Sequence, residues 1–325
     1  MNSKDCIHCG KCTEACRFLE KYAIDIGDMK KREELAYHCF LCGKCTEVCP
    51  AGIDGRETIL EMRRREVAEN DGRMKQKGFR MLLFEKENYL FANYRNRMGK
   101  SAVFPGCNFP SFYPKTTKHL IELLKKEAGA GVVFDCCGKP IAELGLQKKE
   151  NEILSRIERR LEETGIEELI MLCPNCYHFL KPRLKVKVVS VYEKLSEIGI
   201  GSMIDEKIQI FLPCPDRAER QILQHIQKFL KEEPDIIKNV QCCGLGGCAG
   251  GKEKKLAMEM AWELAKYSGQ SSRKIHTYCA SCCGNLARKG CGDAEHLLLK
   301  ILGETEQPDT KRSIWNRAKT KYFRG

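Results

Sequence analysis

Eight cysteines near the amino terminus and ten in the last two thirds, of 21 in this 325-residue chain, stand at spacings that suit metal–sulfur chemistry. The ten form two copies of one pattern. Cys107, Cys136-Cys137-Gly138 and Cys173-Pro174-Asn175-Cys176 are followed by Cys214, Cys242-Cys243-Gly244 and Cys279-Ala280-Ser281-Cys282. The first cysteine precedes the pair by 29 positions in one copy and 28 in the other, and 36 positions separate the pair from the CxxC in both. Cysteines held in register this way mark an internal duplication of one metal-binding unit with five thiolates. Neighbouring cysteines cannot easily converge on one tetrahedral metal, so each pair points to a cluster of several metal atoms, for which iron and sulfur fit best. Five thiolates exceed the four corners of a cubane and imply a bridging thiolate and an opened core. The residues leave three assignments open: iron–sulfur in both units, iron–sulfur in one with zinc or nothing in the other, and a structural metal throughout.

The amino-terminal eight carry a different pattern. Cys6, Cys9, Cys12 and Cys16 have the CxxCxxCxxxC spacing, and Cys39, Cys42, Cys45 and Cys49 repeat it before Pro50, the run of a two-cluster ferredoxin. Three cysteines in a tight loop cap one cubane while the fourth, a helical turn on, points to the other. Crossed ligation follows, with Cys6, Cys9, Cys12 and Cys49 on one 4Fe-4S cluster and Cys39, Cys42, Cys45 and Cys16 on its neighbour. Arg17 replaces the proline usual after the first run. A pair of zinc sites is the alternative, but zinc ligands normally come in two pairs and these are grouped otherwise.

These cysteines need elements to position them. In the duplicated units, apolar runs such as SAVF, GVVF, LIML and KIQIF lead into the cysteines and alternate with helical patterns such as TTKHLIELLKKEAG. Strands alternating with helices predict an α/β class with short parallel sheets, whose ligands gather at the strands' carboxyl ends. Glycines beside the pairs (Gly106 and Gly138 in one unit, Gly244, Gly246, Gly247, Gly250 and Gly251 in the other) suit close approach of backbone to a cluster. The predicted organisation is a helical two-cluster ferredoxin domain over 1–56, a helical connector over 57–100, duplicated units over 101–205 and 206–302, and a basic tail over 303–325. In the connector, Phe79, Phe84, Tyr89, Phe91 and Tyr94 read as core contacts, and Arg63-Arg64-Arg65 as a solvated face or an acidic-partner or headgroup contact.

Composition fits this reading. Odd cysteine number and a start lacking a secretory pattern favour reduced cytoplasmic thiols bound to metal over disulfides. No apolar run reaches the roughly 18 residues of a membrane helix, so membrane contact at the inner face would come through a partner. The formal charge of +12 counts thiols as neutral; eight thiolates on two cubane cores of about +2 each contribute about −4, leaving the loaded protein mildly basic. Basic clusters are short and no recognition motif accompanies them, so nucleic acid is not an expected partner. Cys248, Cys283 and Cys291 stand outside the scheme. Cys282 is preferred to its neighbour Cys283 as ligand, and His178 and His276 are candidate proton donors.

The motifs FPGC, CCGKP, LCPNC, CCGLGG and CASC resemble those of heterodisulfide reductase catalytic subunits and their relatives, over residues 1 to 300. The resemblance implies a noncubane 4Fe-4S cluster in each CCG domain. One would be held by Cys107, Cys136, Cys137, Cys173 and Cys176, the other by Cys214, Cys242, Cys243, Cys279 and Cys282. It further implies that the two clusters face each other across a substrate disulfide, each donating one electron, with a flavoprotein, ferredoxin or membrane cytochrome as electron donor. The same parts occur in iron–sulfur subunits of anaerobic flavin-dependent dehydrogenases of the glycerol-3-phosphate, lactate or glycolate type, the alternative function.

Overall fold

Four short strands in each duplicated segment build two sheets of matching order. The computed structural model describes residues 5–271, 274–291 and 294–324. In the first unit β1 (Asn93–Asn96), β2 (Ser101–Phe104), β3 (Gly131–Phe134), β4 (Glu168–Met171) and β5 (Lys187–Ser190) pair in the order β1-β3-β2-β4-β5. In the second, β6 (Gln209–Ile210), β7 (Asp235–Ile236), β8 (Ile275–Thr277) and β9 (Ala294–His296) pair in the order β7-β6-β8-β9. Apart from β1, both sheets are wholly parallel and place their second strand outside the first, with the third and fourth on the other side. The duplication read from cysteines is thus a duplication of topology.

Local sequence sets the crossovers. The helix Pro114–Ala128 begins on a proline, whose fixed φ suits the first turn, and ends at Gly129 with φ 59, the left-handed cap that glycine adopts without strain. Leu120, Ile121 and Leu124 recur at helical spacing and are buried against the sheet, each stabilising the unit by about 1.5–3 kcal/mol. Because the strands run parallel, their following loops collect at one edge. Cys107, Cys136 and Cys173 come two or three residues after β2, β3 and β4, and Cys279 two after β8. Cys242 lies six residues beyond β7, reached by a longer loop.

The connector and the tail differ from expectation. Residues 57–100 include helices Gly55–Ala68 and Arg80–Lys86 but finish in β1, which pairs antiparallel to β3 and is the exception to the parallel pattern. Gly131 permits this. A Cβ there would sit 2.4 Å from Met98 N and 2.6 Å from Asn96 O, so only glycine lets the edge strand's end come so close. The segment 303–325, expected as a basic tail, carries the helix Ser313–Thr320 docked on the first unit. Ser111 Oγ donates to Ser313 O at 2.7 Å, and Asn93 Nδ2 to Thr320 O at 2.9 Å. Of the connector aromatics, Phe79 and Tyr89 are buried, Phe91 and Tyr94 half-buried, whereas Phe84 is exposed, on the outer side of Arg80–Lys86 with Met81 three residues before it. Among the described residues no helix is long and apolar enough to cross a membrane.

Arg63 corrects the reading of the arginine run. It is fully buried, and its guanidinium donates to Ala36 O (2.9 Å), Cys39 O (2.8 Å), Glu143 O (2.6 Å) and Gly247 O (2.9 Å). Five rigid donors reach carbonyls of the ferredoxin segment and both duplicated units at once. Arg63 therefore fastens the parts together.

Candidate metal centres

Each duplicated unit gathers its five sulfurs into one continuous chain. In the first, thiol contacts run Cys107–Cys136–Cys137–Cys176–Cys173. In the second they run Cys214–Cys242–Cys243–Cys282–Cys279, the same order position for position. The local chain explains the geometry. Cys173 and Cys279 are extended residues preceding helices Pro174–Leu180 and Ala280–Arg288, so the second cysteine of each CxxC turns back over the first. Gly106 supplies the close approach expected of it, since a Cβ there would lie 3.0 Å from Cys176 Sγ. The other glycines serve elsewhere. A Cβ at Gly138 would meet Ile153, one at Gly244 the carbonyl of Ala257, and those at Gly246 and Gly247 the carbonyls of Phe40 and Cys39. Gly246 and Gly247 form the seam with the ferredoxin segment, a Cβ at Gly250 would make ordinary contact with Gly244 O at 3.8 Å, and Gly251 has open space.

The amino-terminal cysteines group in crossed fashion. Cys6, Cys9, Cys12 and Cys49 line one small cavity with Ile26, Pro50 and Ile53, while Cys16 lies among Cys39, Cys42 and Cys45. Cβ atoms at Gly27 and Gly55 would come 2.9 Å from Cys6 Sγ and 2.7 Å from Cys45 Sγ, so both glycines make room for sulfur. Cys6 also has His8 and Asp25 beside it, with His8 Nδ1 2.8 Å from Asp25 Oδ2. Four sulfurs around each of two cradles match the donor set of two cubanes.

Between the ferredoxin segment and the second unit the sulfurs touch. The Cys242 thiol donates to Cys42 and holds Cys42 well below the usual thiol range. Gln241 Nε2 donates to Cys16 Sγ at 3.2 Å and lies 3.5 Å from Cys42 Sγ. Arg217, half-buried behind them, donates to Cys42 O (3.1 Å) and Gln241 O (2.7 Å). Glu253, buried on the same seam, binds Lys21 Nζ, Tyr22 OH and His38 Nδ1, each at 2.6 Å.

The two units touch through residues beside their cysteines. Asn108, beside Cys107, donates to Ser281 Oγ inside the opposite CxxC at 2.6 Å, and Asn175, inside the first CxxC, reaches Cys279 Sγ at 3.8 Å. His178 Nε2 lies 2.7 Å from Asp216 Oδ1, and Tyr278 OH donates to Asp216 Oδ2 at 2.6 Å. Asp216 is fully buried and also accepts from the backbone of Ile222 and Leu223. A cleft of about 260 Å³ opens at this seam, lined by Lys139, His178, Phe179, Pro215 and residues of the helix Gly55–Ala68. His276 lies away from it, on β8 beside Glu295, and burial lowers its basicity.

The remaining cysteines separate cleanly. Cys283 turns from the sulfur chain to Tyr113 of the first unit, whereas Cys282 stays within it. Cys248 packs near Pro140 O, and Cys291 is buried near Lys289 O. Sequence reasoning missed Gln241, Arg217, Lys86 and Arg317. A signal existed for the first: the residue before each cysteine pair is polar, Asp135 in one unit and Gln241 in the other.

Comparison with known proteins agrees with this geometry. The 4Fe-4S dicluster domain family matches residues 2–53, and the cysteine-rich domain family, CCG, matches residues 101–181 and 208–287. The chain therefore carries a 4Fe-4S dicluster domain ahead of two CCG cysteine-rich domains. That order is the architecture of heterodisulfide reductase catalytic subunits. The crystal structure of a hypothetical protein from Helicobacter pylori shares the fold at a TM-score of 0.54 and 10% identity, over 88% of this chain and 66% of that one. No curated protein matches. The chain is thus an iron–sulfur electron-transfer protein.

Proposed function

We propose that this protein receives electrons at the ferredoxin segment and delivers them in pairs to a disulfide held between the two CCG units. The exposed loop carrying Ile7 and Cys9 is the entry, where a protein donor docks over Cys6, Cys9, Cys12 and Cys49. Cys39, Cys42, Cys45 and Cys16 would hold the second cubane, and the two five-cysteine sets the noncubane clusters. When bound, the clusters supply one-electron carriers close enough for hopping and, at the paired pockets, two electrons at one place.

The chain's own residues do the rest. Gln241 bridges the second cubane's sulfurs to the pocket of the second unit. Asn108–Ser281 and Asn175–Cys279, both running from the first unit to the second unit's CxxC, hold the two cysteine loops together. His178, two residues after Cys176 and oriented by Asp216, is the candidate to return a proton to a product thiolate. The balance is one disulfide, two electrons and two protons giving two thiols: the S–S bond breaks, both sulfurs are reduced, and water replenishes the protons. The carrying observation is that two sulfur chains of the same order lie in units whose cysteine loops touch, through Asn108–Ser281 and Asn175–Cys279, a duplication that a plain electron wire does not require.

Anaerobically reconstituted protein, given a low-potential one-electron donor and a panel of small disulfides, is expected to release two thiols per two electrons consumed. Reoxidation by quinone analogues with no thiol release from any disulfide would replace this reading with that of an electron-transfer subunit for a flavin-dependent dehydrogenase.

A further inference from the structure

Two cations that belong to neither CCG unit, one buried and one half-buried, lie beside the first unit's sulfurs. Lys86 ends the connector helix Arg80–Lys86, and Arg317 lies in the docked carboxyl-terminal helix Ser313–Thr320. Lys86 is 7% exposed, within electrostatic reach of Cys107 and Cys136. Arg317 Nη2 donates to Asn108 Oδ1, the neighbour of Cys107, at 3.2 Å and to Ser111 Oγ at 3.3 Å. Both share a single carboxylate, Glu85, whose Oε1 is 2.8 Å from Lys86 Nζ and also meets Arg317 Nη1. The Lys86 contact is an ion pair without hydrogen-bond alignment. Lys86 Nζ, which also lies 4.9 Å over the Tyr89 ring, and Arg317 Nε are buried with no hydrogen-bond partner among the described residues, so Glu85 alone offsets two charges and a reduced cluster beside them would complete the balance.

The second unit is charged differently. Arg217, half-buried, is its cation, shared with Cys42 of the ferredoxin segment and lying 3.8 Å from Glu47. The buried carboxylate of Asp216 stands two residues after Cys214. Near the first pocket the other acids are matched: Asp135 has Arg160, and Glu143 has Lys139. Two cations against one carboxylate leave the first pocket with about one positive charge in excess, whereas in the second Arg217 and Lys44 stand against Glu47 and Asp216, near balance, and the pocket also abuts the thiolates of a cubane site.

Resting on the iron–sulfur reading above, we propose that Lys86 and Arg317 raise the reduction potential of the first unit's cluster above that of the second, making the first pocket the terminal acceptor of the electron chain. A reduced cluster is more negative than an oxidised one, so nearby cations largely shielded from water favour reduction, and net charge is among the factors that set iron–sulfur potentials. Electrons arriving at Cys42 and Cys242 then run downhill across the seam to Cys107 and Cys136. The connector and carboxyl-terminal helices are positioning elements for charge.

Potentiometric titration followed by electron paramagnetic resonance, on iron-replete full-length protein, tests this apart from any disulfide activity. Lys86→Gln and Arg317→Gln are each expected to lower the potential of one cluster and leave the others unmoved, with Lys86→Arg restoring it. Unchanged potentials at full iron content would overturn the proposal while leaving the disulfide reading intact. If Lys86→Gln fails to load, Lys86→Arg decides: normal loading and potential support the charge role, and loss of iron there too overturns it. Absence of any cluster beyond the cubanes in the unaltered protein would instead defeat the underlying reading.

Discussion

The backbone N–H of Arg17 donates to Gln241 Oε1 at 2.8 Å, fixing the amide whose other end donates to Cys16 Sγ. A proline at position 17, usual after such a cysteine run, has no N–H to give. The departure from the ferredoxin pattern therefore adds a contact between the first domain and the second unit, beside those of Glu253 and Arg217. Hydrogen bonds to cluster sulfur favour the reduced state. Gln241→Leu is expected to lower the potential of the cubane at Cys16, Cys39, Cys42 and Cys45, and Arg17→Pro to lower it less. A difference of about 1 kcal/mol corresponds to on the order of 40 mV for one electron. Redox titration of both variants measures it, and equal potentials in all three proteins would remove Gln241 from the path.

Arg63 answers four carbonyls from three parts of the chain. Arg63→Met keeps the apolar stem and orphans those acceptors, so a loss of about 3–5 kcal/mol is expected in denaturant unfolding of the loaded protein. Arg64→Met, at a half-buried ion pair with Glu57, should cost under about 1 kcal/mol.

Acid should loosen the same seam. Burial pushes Glu253 up, yet hydrogen bonds from Lys21, Tyr22 and His38 outweigh it and hold the carboxyl below its ordinary range. A carboxylate depressed in the folded state stabilises the fold above its unfolded pKa and loses that contribution as pH falls through the folded value. Melting followed from about pH 7 to pH 3 should fall more steeply in the unaltered protein than in Glu253→Gln. Parallel curves would show that Glu253 is not the acid-sensitive group.

Ligand choice at the last CxxC is open to direct substitution. Cys282→Ser is expected to lose about four irons, whereas Cys283→Ser, whose thiol faces Tyr113, should keep a full complement. The reverse result would exchange their roles.

Much of the site was legible because cysteine ligation depends on spacing, and spacing survives folding. The crossed amino-terminal grouping, the two matching sulfur chains and the strand-end position of Cys107, Cys136, Cys173 and Cys279 follow from local pattern. The charges around them do not. Lys86, Arg63 and Arg317 sit in helical runs that read as solvated faces, and only long-range packing brings them beside sulfur. Likewise β1 escapes detection because Asn93–Asn96 has no apolar alternation; its place is set by Gly131 across the sheet. Phe84 reads as core by type and is exposed because its helix presents that side outward.

The account stands most directly on electron paramagnetic resonance of anaerobically reconstituted, reduced protein challenged with a disulfide. It predicts about 16 irons per chain and a new signal on disulfide addition, distinct from the cubanes and abolished by replacing Cys137 or Cys243 alone. About eight irons, cubane signals only and no response to disulfide would contradict it.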